Sequence, residues 1–246
     1  MKLLIFGGTT EGRQLSHLLA QKGAHVTVSV ATDYGKEEQG QGDGVTVLTG
    51  RLDVDQMAHL LVGFDLCIDA THPYAVEATA NIKTACERAA VPCRRLLRRD
   101  GGQADGIFCD SAAEAAQYLE DREGRILLTT GAKELSVFSR LGPDRLYPRV
   151  LPSHAGISAC EEAGIPHRNI LAMQGPFSEE LNTALLRQFH ISYLVTKDGG
   201  TTGGFPEKVR AAQSTGTQLV IIRRPEDQGE SFEEILKFCE EMMRCS

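Results

Sequence analysis

The chain is 246 residues long, carries a formal net charge of -7 and contains 41% hydrophobic and 24% charged residues. These values are those of an ordinary globular protein and exclude a disordered or fibrous chain. The acidic balance disfavours nucleic acid as a partner, because duplex binding needs a basic surface. Most of the excess acid lies in residues 226–246, so an anion site in the rest of the chain is compatible with the overall sign.

Membrane and metal signals are weak in this sequence. No stretch approaches the roughly 18 apolar residues that a membrane helix needs, and the first apolar run is too short for a signal peptide. The seven cysteines are an odd number and include no C-x-x-C pair, which argues against a disulfide framework or a zinc site. The histidines are dispersed as well. We therefore expect a cytoplasmic protein with no membrane contact and no metal.

Strand-like and helix-like segments alternate along the first hundred residues. Apolar runs predict strands at 2–6, 25–30, 45–48, 66–68 and 94–97. Helical spacing of apolar residues, with glycine or proline stops, predicts helices around 15–19, 54–62 and 75–90. Continuous apolar strands separated by helices are typical of a parallel sheet that is covered on both faces.

A second alternating series follows a polar, glycine-rich linker at 100–106. Strands are predicted at 125–130, 146–150, 169–173, 192–196 and 218–222, and helices at 179–189 and 206–214. In the first of these helices, Leu181, Leu185 and Phe189 form the predicted inward stripe. A last helix begins with the capping-box pair Ser231 and Glu234. We predict an α/β fold of two Rossmann-like parallel-sheet domains, 1–99 and 100–246, flanking a cleft.

A glycine turn lies where the first strand becomes the first helix. Such a junction presents unpaired N–H groups and the positive end of a helix dipole, so it suits a phosphate. The match to G-x-G-x-x-G is imperfect, because Thr9 occupies the middle position and Gly8 comes one place early. A nucleotide site and a plain capped turn both fit this segment. The candidate phosphate-binding residues are Gly7, Gly8, Thr9, Thr10, Gly12 and Arg13.

The end of the second strand is the expected place for the adenosine ribose. Asp33 stands about 20 residues after the glycines, where an acid prefers the ribose diol of NADH. Alternatively, Thr32 with Ser29, Arg13 and Lys36 would hold the 2′-phosphate of NADPH. The sequence leaves both cofactors open.

Polar side chains cluster after the fourth strand, at the carboxyl edge where open α/β sheets bind ligands. Thr71, His72 and Tyr74 stand there, and Pro73 fits the first turn of the following helix. His72 and Tyr74 are candidate donors of a hydrogen bond or a proton. A helix start with a structural histidine and a packed tyrosine is the alternative.

The second half of the sequence also contains predicted strands that end in polar turns. Lys133 follows a Thr-Thr-Gly turn, in a first helical turn where an anion would offset its unfavourable charge. Arg149 ends another strand and is a second candidate anion clamp. Lys197, Gly199 and Gly200 begin a loop that continues through Thr201, Thr202 and Gly203 and offers many N–H groups to an anion. Solvated charges and a flexible surface loop are the alternatives.

Together these segments resemble the precorrin-6A reductase family, including its cobalt-precorrin branch. The resemblance is carried in order by Gly7-Gly8-Thr9-Thr10-Glu11-Gly12-Arg13, Asp69-Ala70-Thr71-His72-Pro73-Tyr74-Ala75, Thr130-Gly131-Ala132-Lys133, Arg149-Val150-Leu151-Pro152 and Lys197-Asp198-Gly199-Gly200. It spans nearly the whole chain. Asp198 is a departure, since a small hydroxyl residue is expected there.

The resemblance implies an enzyme of cobalamin biosynthesis that reduces one double bond of a tetrapyrrole with NADPH or NADH. Cofactor binding is assigned to the glycine turn with Thr32 and Thr71. Lys133, Arg149 and Lys208, with Gly199 and Gly200, are assigned to the carboxylate arms of the macrocycle. His72, Tyr74 and Lys197 are the candidate proton donors. The rival hypotheses are a Rossmann-type oxidoreductase for a smaller anionic substrate and a non-catalytic two-lobed tetrapyrrole-binding protein.

Overall fold

The chain forms two compact units, seen in a computed structural model that describes residues 1–97, 104–200 and 204–245. The first unit comprises Met1–Arg99 together with Pro225–Ser246, and the second comprises Asp100–Arg224. The expected second domain, 100–246, therefore ends 22 residues too late, because the last helix packs in the core of the first unit. Of the predicted linker, residues 100–103 lie outside the described residues.

The first unit is a five-stranded parallel sheet with helices between its strands. Its strands are β1 (Lys2–Phe6), β2 (His25–Val30), β3 (Val45–Thr49), β4 (Leu66–Asp69) and β5 (Cys93–Arg95). Its helices are α1 (Thr10–Gln21), α2 (Asp33–Gln39), α3 (Val54–Leu61) and α4 (Val76–Ala89), followed at the end of the chain by α10 (Phe232–Cys245). The strand order β3-β2-β1-β4-β5 places β1 and β4 side by side at the centre, and both strands are apolar because helices cover the two faces.

The second unit is a six-stranded sheet that is parallel throughout. Its strands are β6 (Ile107–Cys109), β7 (Arg125–Leu128), β8 (Leu146–Val150), β9 (Leu171–Ala172), β10 (Ile191–Lys197) and β11 (Gln218–Ile222). Its helices are α5 (Ala112–Glu120), α6 (Leu135–Phe138), α7 (His154–Glu162), α8 (Glu179–Gln188) and α9 (Phe205–Thr215). The order is β6-β11-β10-β7-β8-β9. The predicted pair of parallel-sheet α/β domains is confirmed.

Helix α8 turns a different face inward from the one predicted. Leu181 is 37% exposed, whereas Asn182 and Leu186 are buried at 1% and 2% exposure. The polar side chain is drawn in because its amide nitrogen donates to the main-chain oxygen of Ser178 at 2.8 Å and its Oδ1 accepts from Arg149. A satisfied buried amide thus sets the rotation of the helix.

Helix α10 completes the core of the first unit. Ser231 and Glu234 form the predicted capping box, in which each main-chain N–H donates to the other residue's side chain. Ile235 and Cys239 are fully buried in one cluster with residues of β1, α1, β2 and β4. Among the described residues no helix has both the length and the apolar character that crossing a bilayer requires.

Candidate active site

The turn after β1 is built by close packing on both sides. The Thr9 side chain caps α1 by accepting from the N–H of Gly12 at 3.1 Å. A Cβ on Gly12 would lie 2.7 Å from Cβ of Ala70, and one on Gly7 would lie 2.9 Å from Val28, so glycine is required at both positions. Gly8 differs, because its φ is +129° and no atom lies within 4 Å of a Cβ there. The turn therefore leaves open space in front of the first residues of α1.

The turn after β1 is joined to the loop after β4. The Thr9 hydroxyl donates to the main-chain oxygen of Ala70 at 2.9 Å, and the N–H of Ala70 donates to Phe6 at 2.9 Å. Thr10 begins α1 directly after this link. Two of the predicted site segments thus meet at the carboxyl edge of the first sheet, as expected for neighbouring parallel strands.

A buried ionic cluster lies beneath that loop. Asp69 is 2% exposed and its Oδ1 accepts from Arg95 at 2.9 Å, from the Thr71 N–H at 3.0 Å and from the Thr71 hydroxyl at 2.7 Å. Arg95 also binds the carboxylate of Asp227 at 2.9 Å. Asp69 Oδ2 is buried without a hydrogen bond to a described residue. Thr71 is therefore held by protein groups, and its main role in the described structure is to shape the loop.

His72 and Tyr74 lie together in the same loop. The Nδ1 atom of His72 accepts a long hydrogen bond of 3.4 Å from the main-chain N–H of Tyr74. The two rings are 5.6 Å apart between centroids. Both residues are partly exposed, and Pro73 between them is buried. Both predicted donors are thus at the edge of the first sheet that carries the glycine turn.

The end of β2 also lies at this edge and begins helix α2. Thr32 caps α2 through a 3.0 Å hydrogen bond from the N–H of Gly35, and Asp33 is the first residue of the helix. Both are exposed, whereas Ser29 is buried at 6% exposure. The Arg13 guanidinium donates to the main-chain oxygen of Glu38 at 2.6 Å. It also lies 3.8 Å from the Glu38 carboxylate in an ion pair and is only partly exposed. Thr32 is therefore available at the surface of the unit, whereas Arg13 is already engaged and Ser29 is buried.

In the second unit the side chain of Arg149 is buried at 7% exposure. It donates to Oδ1 of Asn182 at 2.8 Å and stacks on the ring of Phe177, with its central carbon 4.1 Å from the ring centroid. Burial lowers the pKa of Arg149 to about 10. The described residues give this guanidinium no carboxylate partner, which is uncommon for a buried arginine.

Lys208, on α9, is a second cation in the same region. Its Nζ donates to the hydroxyl of Thr196 at 3.1 Å. Burial, and then the nearby charge of Arg149, lower the pKa of Lys208 to about 7, against a smaller opposing effect of Glu207. None of the carboxylates in the described parts of the chain forms an ion pair with this ammonium. Two neighbouring basic side chains thus form no ion pair with a described carboxylate, an arrangement that an anionic ligand would relieve.

The other predicted cations differ from this pair. Lys197 forms an ion pair with Glu134 at 2.9 Å. Lys133 is exposed, in the single helical turn Ala132–Glu134, and pairs with no described acid. Thr130, in the turn before it, has a buried hydroxyl with no hydrogen bond to a described residue. The turn after β7 therefore holds the exposed cation Lys133 and the buried hydroxyl of Thr130, close in sequence to Glu134 of the ion pair.

The glycine loop after β10 is described only in part. Gly199 and Gly200 are buried, and the N–H of Gly200 donates to Oδ1 of Asp198 at 3.2 Å. Asp198 also lies 3.7 Å from the Arg224 guanidinium. It therefore braces the loop in place of the expected small hydroxyl residue. Thr201, Thr202 and Gly203 of the predicted loop lie outside the described residues.

Sequence reasoning missed several residues that organise these two regions. Arg95 and Asp227 are 132 positions apart and meet only because β5 lies beside the segment that enters α10. The inward position of Asn182 was not predicted, because the surrounding leucines suggested another buried face of the helix. The contact of Thr196 was not predicted, because this residue lies inside an apolar strand. One signal was available for Asp69, an acid at the end of an apolar run, since a charge there needs a partner or a ligand.

A five-stranded parallel sheet of this order, with a glycine turn after its central strand, is the arrangement of dinucleotide-binding domains. With the second parallel-sheet unit, it defines the class as two-domain α/β proteins with a dinucleotide-binding first domain. The chain belongs to the precorrin-6x reductase CbiJ/CobK family, whose profile matches residues 2–240. The resemblance predicted from the sequence is confirmed, and the chain is placed among the reductases of cobalamin biosynthesis.

Individual relatives agree with the family assignment. The chain is 35% identical over 233 residues to a cobalt-precorrin-6A reductase of Methanothermobacter thermautotrophicus. The alignment covers 92% of this chain and 77% of the relative. It is 34% identical over 231 residues to a cobalt-precorrin-6A reductase of Priestia megaterium, covering 91% and 90%. A solved structure of CobK precorrin-6A reductase superposes with a TM-score of 0.79 at 25% identity, covering 98% of this chain and 96% of that one.

Proposed function

We propose that this protein transfers a hydride from a nicotinamide cofactor to a double bond of precorrin-6A or cobalt-precorrin-6A. The observation that carries the substrate class is the pair Arg149 and Lys208, two neighbouring cations without a carboxylate partner among the described residues. Family membership supports the reaction. The two relatives above are named for the cobalt form and the solved structure for the metal-free form.

The cation pair fits a substrate with several carboxylate arms. A buried guanidinium offers two parallel N–H groups to a carboxylate, and its stacking on Phe177 fixes the plane in which they lie. Lys208 adds a point charge that gains its full strength when an anion raises its pKa again. A corrin precursor carries acetate and propionate arms, so dispersed cations suit it better than one central charge. Lys133, exposed on the same unit, is a further contact for an arm.

The glycine turn of the first unit fits the cofactor's pyrophosphate. Open space at Gly8, the tightly packed Gly12 and the capped start of α1 leave room for a phosphate at the positive end of the helix dipole. When bound, the cofactor supplies the hydride. Thr32 and Lys36 are exposed near the start of α2, and Arg13 is partly exposed on α1. These three side chains suit the 2′-phosphate of NADPH. Gly7, Thr9 and Thr10 shape the turn, and Thr71 shapes the adjoining loop.

Reduction of a conjugated C=C or C=N bond adds a proton as well as a hydride. His72, Tyr74 and Lys197 are the proposed sources of that proton. In a neutral His72 ring, the contact from Tyr74 to Nδ1 leaves the proton on Nε2, ready to be donated. Lys197 lies 2.9 Å from Glu134 in an ion pair. Gly199 and Gly200 are proposed to line the substrate on the second unit.

The proposal is tested by an anaerobic assay that follows nicotinamide absorbance. Metal-free and cobalt-containing precorrin-6A are offered in parallel, each with NADPH and with NADH. We expect oxidation of NADPH that depends on one of the two macrocycles and forms a dihydro product by mass. Tight macrocycle binding with no binding of either nicotinamide would favour the two-lobed binding protein. Oxidation driven only by a smaller anionic substrate would favour the other oxidoreductase.

A further inference from the structure

Three cysteines of the first unit converge although they are far apart in sequence. Cys67 lies on β4, Cys86 on α4 and Cys93 at the start of β5, and all three are free thiols. Their sulfur atoms all lie within 4.8 Å of one another. Cys67 and Cys86 are buried, and Cys93 is exposed. The odd number and irregular spacing of the cysteines hid this cluster from sequence analysis.

The size of the sulfur triangle suits a metal ion. Zinc–sulfur bonds of about 2.3 Å place the sulfurs of one site roughly 3.8 to 4.0 Å apart. The cluster is therefore within about 1 Å of a coordinating geometry. Cys67 and Cys93 are direct partners in the parallel register of β4 and β5, which fixes two of the three positions.

Charged side chains of both signs lie around the cluster. Arg95 and Lys83 are the positive charges that act on the sulfur of Cys93. Asp69 adds negative charge from the same strand as Cys67. Lys83 and Arg95 therefore offset part of the negative charge that thiolate ligands would bring to the site.

A cavity gives access to the cluster. It has a volume of about 690 Å³, and Lys83, Cys86, Cys93 and Arg95 are among the residues that line it. An ion can therefore reach the buried sulfurs through the side on which Cys93 is exposed. A fourth coordination position would face this cavity, where water can occupy it.

We infer that Cys67, Cys86 and Cys93 form a site for one thiophilic d10 cation of the Zn²⁺ type, bound by three thiolates. Thiolate ligands select such ions over magnesium or calcium. Binding forms three metal–sulfur bonds, the S–H protons of the ligand thiols pass to solvent, and no atom changes its oxidation state. The bound ion would fasten β5 and α4 to β4. The site is separate from the proposed substrate contacts and needs no part of the proposed reaction.

The test uses the full chain, stripped of metal by a chelator and kept reduced without a thiol reagent. Zn²⁺ is titrated in competition with a chromogenic chelator, and Cd²⁺ is titrated while its thiolate charge-transfer band is recorded. We expect one ion per chain and a band of the size that three thiolates give. X-ray absorption of the Zn²⁺ form is expected to show three sulfur neighbours at about 2.3 Å. One equivalent of Zn²⁺ should also protect Cys93 from alkylation.

Cys93→Ser is the informative variant, because an exposed strand end tolerates serine. We expect it to lower Zn²⁺ affinity at least about 100-fold, the share of one thiolate in a zinc site. Cys160→Ser, at a buried cysteine of the second unit, is the matched control and should leave affinity unchanged. Equal affinity in wild type and Cys93→Ser would overturn the inference. So would fewer than three sulfur neighbours in wild type, which needs no variant to fold.

Discussion

The Thr9 hydroxyl donates to the main-chain oxygen of Ala70 at 2.9 Å and ties the turn after β1 to the loop after β4. The hydroxyl oxygen of Thr9 also accepts a hydrogen bond from the N–H of Gly12 and so caps α1. One side chain therefore fixes both the start of the helix and the distance between two segments of the candidate site.

Replacing Thr9 by valine keeps the shape of the side chain and removes both hydrogen bonds. We expect a loss of about 1 to 2 kcal/mol in the free energy of unfolding, as for other helix caps. The apparent Kd for NADPH should rise as well, because the glycine turn loses its anchor. Chemical denaturation and a fluorescence titration measure the two effects. Thr9→Ser should behave as wild type, and full stability in Thr9→Val would contradict the capping role.

Gly8→Ala tests the open space in front of α1. Gly8 has a φ of +129°, so alanine there brings backbone strain as well as a methyl group. Gly23→Ala separates the two effects, because Gly23 has a φ of +96° and equally open surroundings but lies in the turn between α1 and β2. We expect similar losses of stability in both variants. Only Gly8→Ala should weaken NADPH binding, by roughly tenfold or more, and equal Kd values in the two variants would remove the pyrophosphate from this turn.

Arg149→Met removes a buried cation that has no carboxylate partner among the described residues. The KM for the macrocycle should rise roughly 30-fold, about 2 kcal/mol of binding, while the KM for NADPH stays within twofold of wild type. The unliganded variant should be no less stable than wild type, since an uncompensated buried charge is costly. Steady-state kinetics and thermal unfolding provide the data. Arg140→Met, at a half-exposed arginine of the same unit, is the control, and a rise confined to the KM for NADPH would move Arg149 to the other ligand.

Lys208 predicts a pH dependence of substrate binding. Its pKa in the folded protein is lowered to about 7 from 10.5, so the unliganded protein loses this charge as the pH rises through 7. Macrocycle affinity should fall over that range in wild type and change less in Lys208→Arg. The free energy of unfolding changes with pH in the opposite direction to macrocycle affinity. Between pH 7 and 10.5 the unfolded chain binds more protons than the folded one, so the contribution of Lys208 to stability rises with pH. Lys208→Met should flatten both profiles, and an unchanged KM profile in that variant would count against the contact.

The three candidate proton donors are separated by His72→Gln, Tyr74→Phe and Lys197→Met. The variant that lacks the true proton donor should have a kcat lowered by roughly 100-fold or more, with little change in the KM for the macrocycle or for NADPH. A residue that only positions a ligand should change KM instead. Pre-steady-state oxidation of NADPH in H₂O and D₂O adds a second readout, since loss of the donor alters the solvent isotope effect. If all three variants keep kcat within tenfold, the proton comes from another group or from water.

Sequence patterns predicted the parallel sheets because their strands are continuous apolar runs such as 2–6 and 218–222. They missed α5 and α7, whose buried positions are filled largely by alanine, glycine and cysteine rather than leucine. The same limit explains α8, where a leucine pattern concealed an inward asparagine. Helix α2 was overlooked because Asp33 and its neighbours are polar and bury little.

For the candidate site, the sequence identified polar residues at the ends of strands. It could not identify the side chains that these residues contact in the folded protein. Arg149 was predicted as an anion clamp, but its burial and its missing counter-charge depend on Asn182 and Phe177, which come from other elements. Asp69 and Arg95 are likewise joined by the pairing of β4 with β5. Such relationships arise from topology, which residue spacing does not encode.

The position of α10 also sets the order in which the chain can fold as it leaves the ribosome. Residues 100–224 are contiguous and can collapse as soon as they emerge. The first unit is made earlier yet must wait, because Leu15 and Leu19 share their cluster with Ile235 and Cys239. Until α10 appears, an apolar surface of the nascent first unit stays uncovered and open to chaperones. The segment translated first is thus the one that matures last.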